Sequence, residues 1–140
     1  MRYVADASVV IKWYVDEVRH ERARALLTGA DEVTAPDFVL VELANIVWKK
    51  TLRGEIDGRM AADLIREAPE KLGQLLPARP LLTRALELAL ALGHPSYDCL
   101  YLAAAEAVEG VVVTDDRRFH DVVLGSALAD RIALLGALPP

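Results

Sequence analysis

A single cysteine, Cys99, stands in a chain of 140 residues. One thiol excludes an intramolecular disulfide and any cysteine-based zinc cluster, as expected of a protein in a reducing cytoplasm. Cys99 is expected to pack in the core. Long apolar runs are also missing. The longest, LLTRALELALALG at 81–93, is interrupted by Arg84 and Glu87 and falls short of the ~20 residues a membrane span needs. The amino terminus shows no cationic segment leading into an apolar one and a cleavage site, so export is not expected. Basic charge is in deficit: 16 Lys and Arg stand against 21 Asp and Glu, a net charge of −5, which argues against a non-specific nucleic-acid coat. There is no Gly-rich phosphate loop, no Ser-His-Asp arrangement and no H-E-x-x-H pattern. His20, His94 and His120 lack metal-ligand spacing and read as surface or capping residues. With no linker, low-complexity tract or repeat, residues 1–140 are expected to form a single domain, of a size that typically buries about 68–70% of its unfolded surface.

What the chain has in plenty is apolar residues, 54% of the total. That is high for a small soluble monomer and implies that some apolar surface meets another chain. Within or beside these stretches sit four acids: Asp6 in YVADASVVIKW, Glu42 in FVLVELANIVW, Asp98 in PSYDCLYLAAA and Asp116 in VVVTDDRRF. A carboxylate in such surroundings must find hydrogen-bond donors, a cation or a proton. With these four set aside, the remaining acids and bases nearly balance, so much of the negative charge belongs to one pocket if the four meet. A polyanionic substrate is then compatible with the composition.

Periodicity predicts strands at 2–5, 32–36, 71–76 (KLGQLL), 110–114 and 131–135. Helices are expected over 7–15, 17–28, 37–53, 57–68, 78–93, 97–108 and 117–128. The 37–53 segment, mostly apolar and stopped by Gly54, reads as a central helix buried on several sides. Pro69 is expected to end the helix before it. GVVVT at 110–114 has the uninterrupted apolar character of a parallel strand covered on both faces. Strands alternating with helices imply a three-layer α/β/α sandwich with a mostly parallel, roughly five-stranded sheet and right-handed crossovers. Ligands of such sheets bind at the carboxyl ends of the strands, where Asp6 and Asp116 fall.

Each acid has an ordinary explanation to overcome. Asp6 could cap the helix that follows it, and Ser8, two residues on, could serve the same turn or bind a ligand oxygen. Glu42 and Asn45, the sole polar residues between Phe38 and Trp48, share one face at i,i+3 spacing, and Lys49 extends that stripe. Asp98 lies in a helix's first turn, where an acid is favoured by the dipole. The Leu and Ala residues after it place that turn against the core, where an uncompensated carboxylate costs several kcal/mol. In Thr114-Asp115-Asp116 one aspartate is expected to cap the next helix and the other to point into the rim, with Thr114 orienting either. Lys12, Lys49, Lys50, Arg53, Arg117 and Arg118 are candidates for phosphate contact.

Oxygen-only ligands suit Mg²⁺ or Mn²⁺, and carboxylates holding one or two such ions serve phosphoester chemistry. At this point DASV after a short strand, VELANIVWK, YDCLYLAAAE and VVTDDRRF together resemble the PIN-domain family, specifically its VapC-type toxins of toxin–antitoxin pairs. The similarity spans essentially the whole chain. It implies that Asp6, Glu42, Asp98 and Asp116 are catalytic, metal-binding carboxylates, because the last motif is Thr, a variable residue, then Asp. Ser8, Asn45 and Thr114 match supporting positions, and Asp115 falls at the variable one as an auxiliary ligand. The resemblance further implies a cytoplasmic, dimeric, Mg²⁺- or Mn²⁺-dependent endoribonuclease that leaves 5′-phosphate and 3′-hydroxyl ends and is inhibited by a cognate VapB-like antitoxin. The alternatives are an RNA-processing PIN nuclease without an antitoxin, and a PIN-like RNA-binding module that holds metal without turnover.

Overall fold

The valines at 111–113 form the interior of a parallel sheet. In the computed structural model, which describes residues 1–139, the strands are β1 (Arg2–Ala5), β2 (Glu32–Thr34), β3 (Val111–Thr114) and β4 (Ile132–Leu134). Their order is β2-β1-β3-β4, all parallel, with Ala5 opposite Val113 and Thr114 opposite Leu134. The helices are α1 (Ala7–Val10, continued by a 3-10 turn at Ile11–Trp13), α2 (His20–Thr28), α3 (Val39–Leu52), α4 (Gly58–Lys71), α5 (Leu82–Leu92), α6 (Ser96–Val108) and α7 (Arg117–Leu124). The result is an α/β sandwich with a parallel sheet flanked by helices.

Four strands form among the described residues, where the sequence predicts five. KLGQLL contributes one isolated parallel bridge, Leu76 to Pro36. Helix α4 accounts for the difference, because it runs through Pro69 to Lys71 and takes up the start of the expected strand. Pro69 lies inside α4, where its missing N–H removes one helix hydrogen bond without ending the helix. A second correction concerns the central helix. In α3 only Val39, Leu43 and Val47 are buried, whereas Val41, Trp48 and Leu52 are exposed. The helix buried on most sides is α6, where Cys99 through Ala105 all lie inside. Ala103, Ala104 and Ala105 have no bulk to hold neighbours off, so α6 packs against both β1 and β3.

Two glycines are required by position. A Cβ on Gly110 would stand 2.7 Å from the Arg2 carbonyl oxygen, so only glycine allows β3 to start beside β1. Gly93 ends α5 in the left-handed conformation, at φ 63°, a region glycine occupies without steric cost. The chain extends the sheet from β1 to β2 on one side and then to β3 and β4 on the other. The point of reversal lies between the adjacent carboxyl ends of β1 and β3. Among the described residues, no helix is long and apolar enough to cross a membrane.

Candidate functional site

Asp6 follows β1 directly and caps α1. Its Oδ1 accepts hydrogen bonds from the Ser8 amide at 3.1 Å and from the Ser8 hydroxyl. Its Oδ2 accepts from the Thr114 hydroxyl at the end of β3. Both hydroxyls also accept: Ser8 Oγ from the Asp115 amide at 2.9 Å, and Thr114 Oγ1 from the Asp116 amide at 3.0 Å. The two strand ends are thereby laced together through one carboxyl group. With 7% of its surface exposed, Asp6 is largely desolvated, and burial, with help from Asp98 and Glu42, pushes its pKa up to about 7 despite the two hydroxyl donors.

Glu42 projects from the first turn of α3 and accepts a hydrogen bond from the Tyr101 hydroxyl. Tyr101 belongs to the buried stretch of α6 and is 1% exposed. Burial raises the Glu42 pKa, and the charge of Asp98 raises it further against the Tyr101 bond. Burial also holds the Tyr101 hydroxyl well above the ordinary phenol range, with Glu42 adding to the effect. Asp98, in the first turn of α6, has its Oδ2 2.7 Å from His94 Nε2. Its pKa is raised by burial and by Asp116 in opposition to His94. The four acids are thus a continuous electrostatic set: Asp6 feels Glu42 and Asp98, Glu42 feels Asp98, and Asp98 feels Asp116.

The TDD run resolves differently from expectation. Asp116 caps α7, its Oδ1 accepting from the amides of Arg118 at 3.0 Å and Phe119 at 3.2 Å, and the same residue is the one that acts on Asp98. Asp115 neither caps nor joins the acids. Its carboxylate pairs with Arg19 at 2.6 Å and Lys12 at 3.2 Å, and these cations hold its pKa low although burial opposes them. Lys12 also meets Glu17 at 3.0 Å, and Glu17 meets Lys50 at 2.8 Å. Lys12 and Lys50 are therefore engaged in ion pairs, which weakens their expected availability for phosphate.

Asn45 is exposed and, among the described residues, makes no hydrogen bond to the acids, although it shares the Glu42 side of α3. His94 was missed by the sequence reading. It is buried rather than on the surface, and its i,i+4 spacing to Asp98 was the available signal. Among the described residues, no three Asp, Glu, His or Cys side chains converge in metal-coordinating geometry; each acid is bonded to a neighbour of its own. The donor set nevertheless suits a hard cation. It is all oxygen, mutually repelling, and partly desolvated, so a positive ion would relieve the raised pKa values.

A cavity of about 390 Å³ opens beside Ser8 and Asp116 and runs along α3 past Ile46, Lys49, Lys50 and Arg53. A larger one of about 630 Å³, lined by Leu27, Val33, Leu72 and Gln74, follows the β2 edge and includes none of the four acids. Of the four acids, Asp116 alone lines the rim cavity.

The molecule is thus a parallel α/β sandwich with Asp6 and Asp116 at the point where its strand order reverses. The PIN domain family model matches residues 3–123, and the chain belongs to that family. It is homologous to Ribonuclease VapC3 of Pyrobaculum aerophilum, with 34% identity over 123 residues that cover 86% of this chain and 94% of that protein. The crystal structure of PAE2754 from the same organism is similar in fold, with a TM-score of 0.67 and 22% identity, over 97% of this chain and 85% of that one.

Proposed function

We propose that this protein is a metal-dependent endoribonuclease, the toxin component of a VapBC-type toxin–antitoxin pair, folded as one PIN domain over residues 1–140. The observation that carries the reading is the hydrogen-bonded junction at the carboxyl ends of β1 and β3, where Ser8 and Thr114 donate to Asp6 and the Asp116 amide donates to Thr114, with Glu42 and Asp98 in the first turns of α3 and α6. These residues would hold Mg²⁺ or Mn²⁺, which supplies Lewis-acid activation of water and neutralises charge on the leaving oxygen. Ser8 and Thr114 hold Asp6 in place and Tyr101 holds Glu42, so the carboxylates are oriented before substrate arrives. Glu42, Ile46, Lys49 and Arg53 follow one another at i, i+4, i+7 and i+11 along α3. Ile46, Lys49 and Arg53 of this series line the rim cavity together with Asp116, and the two cations would meet the phosphates that flank the cleaved one.

The purified protein is expected to cleave cellular RNA with Mg²⁺ or Mn²⁺, leaving 5′-phosphate and 3′-hydroxyl ends, and to stop with EDTA or with Asp98→Asn. Equal cleavage by Asp98→Asn removes the site assignment. RNA binding without cleavage by the metal-loaded parent favours the non-turnover module. A small partner that copurifies with the chain and suppresses cleavage supports the toxin; cleavage with no such partner favours an RNA-processing nuclease.

A further inference from the structure

His94 stands in the short link between α5 and α6, tied on both sides. Its amide donates to the Ala89 carbonyl at 3.2 Å, and its carbonyl accepts from Cys99 Sγ at 3.8 Å. With 8% exposure, the imidazole lies flat on the Phe119 ring, the centroids 5.1 Å apart and the planes at 12°. Phe119 is fully buried and sits in the α7 turn capped by Asp116. Contacts therefore run from Asp98 to His94, from His94 to Phe119, and from the Phe119 amide to Asp116.

A ring fixed this way is a donor of set direction. Asp98 accepts only at Oδ2, from Nε2, which requires the tautomer with a proton on Nε2. Among the described residues no other side chain donates to Asp98. Partners that hold metal-binding carboxylates from behind typically change metal affinity or activity 10–100-fold when removed.

We propose that His94 is a positioning residue of the metal site: its Nε2–H sets the Asp98 carboxylate, and its stack on Phe119 keeps that carboxylate in register with Asp116. The inference rests on the reading of Asp98 and Asp116 as metal-holding residues.

The test is Mn²⁺ titration followed by electron paramagnetic resonance, with no RNA present, on the full chain and its variants. His94→Phe keeps an aromatic ring against Phe119 and removes the donor. It is expected to stay folded by circular dichroism and to lose about 10–100-fold in Mn²⁺ affinity. His94→Gln, whose amide nitrogen can approach the place of Nε2, is expected to recover most of that loss. Parental affinity in His94→Phe, or no recovery in His94→Gln, overturns the proposal. If His94→Phe does not fold, Phe119→Leu leaves the imidazole but removes its stacking surface; a measurable drop in affinity supports the proposal and an unchanged value overturns it. Asp98→Asn separates the two layers. If it weakens Mn²⁺ binding while His94→Phe does not, only the positioning role fails; if it binds as the parent does, the metal-site reading fails with it.

Discussion

Asp6 is the most buried of the four acids. Its ordinary pKa is 3.8 and burial raises it to about 7. Between those values the folded chain holds a proton that the unfolded chain has released, so stability is highest at the acid end of this window and falls as pH rises through it. Glu42 and Asp98, also raised by burial, act in the same direction. With EDTA present, urea unfolding is expected to show the protein about 2–4 kcal/mol less stable at pH 8 than at pH 5. Asp6→Asn is expected to flatten that slope. A metal-free protein equally stable at both values contradicts the raised carboxyl. Mn²⁺ binds the ionised form, so it is expected to raise the unfolding temperature more at pH 8 than at pH 5.

At the scale of elements, Asp116 caps α7 and, on the proposed reading, would also hold metal, and substitutions can separate the two. Asparagine is as good an N-cap as aspartate, whereas alanine costs about 1 kcal/mol. Asp116→Asn is therefore expected to unfold as the parent does while losing Mn²⁺ affinity, and Asp116→Ala to lose both. Asp115→Asn is expected to keep Mn²⁺ affinity, because its carboxylate is committed to Lys12 and Arg19. Calorimetric titration of the three variants checks this, and an affinity lost in Asp115→Asn alone would reverse the assignment. The sequence places both aspartates just past a strand, but neighbouring residues point apart, and which one faces the acids depends on cations contributed by the turn and loop that follow α1. The same limit applies to α3 and α6. Both read as apolar helices, and only packing against β1 and β3 distinguishes the buried one from the one that shows Trp48 to solvent.

For the whole molecule, the apolar excess in the composition appears as two exposed stripes, Val41, Trp48 and Leu52 on α3 and Leu82, Leu86 and Leu90 on α5. Apolar patches of this kind mark surfaces that meet other chains. Sedimentation is expected to give a dimer, and either Trp48→Glu with Leu52→Glu or Leu86→Glu with Leu90→Glu is expected to give a monomer. A monomeric parent, or dimers in both variants, would remove that expectation.

The alternation of strands and helices, the parallel sheet and the four acids with their order were legible in the sequence, because periodicity and turn residues act over a few positions. Asp6 and Asp116 could be placed at one rim because both follow strands. Tertiary structure alone decided that KLGQLL is no strand, that α6 rather than α3 is the buried helix, that Asp115 turns to Lys12 and Arg19, and that the buried His94 ring meets both Asp98 and Phe119. Each of those outcomes depends on which surfaces meet across long stretches of chain, where contact geometry and desolvation outweigh local preference.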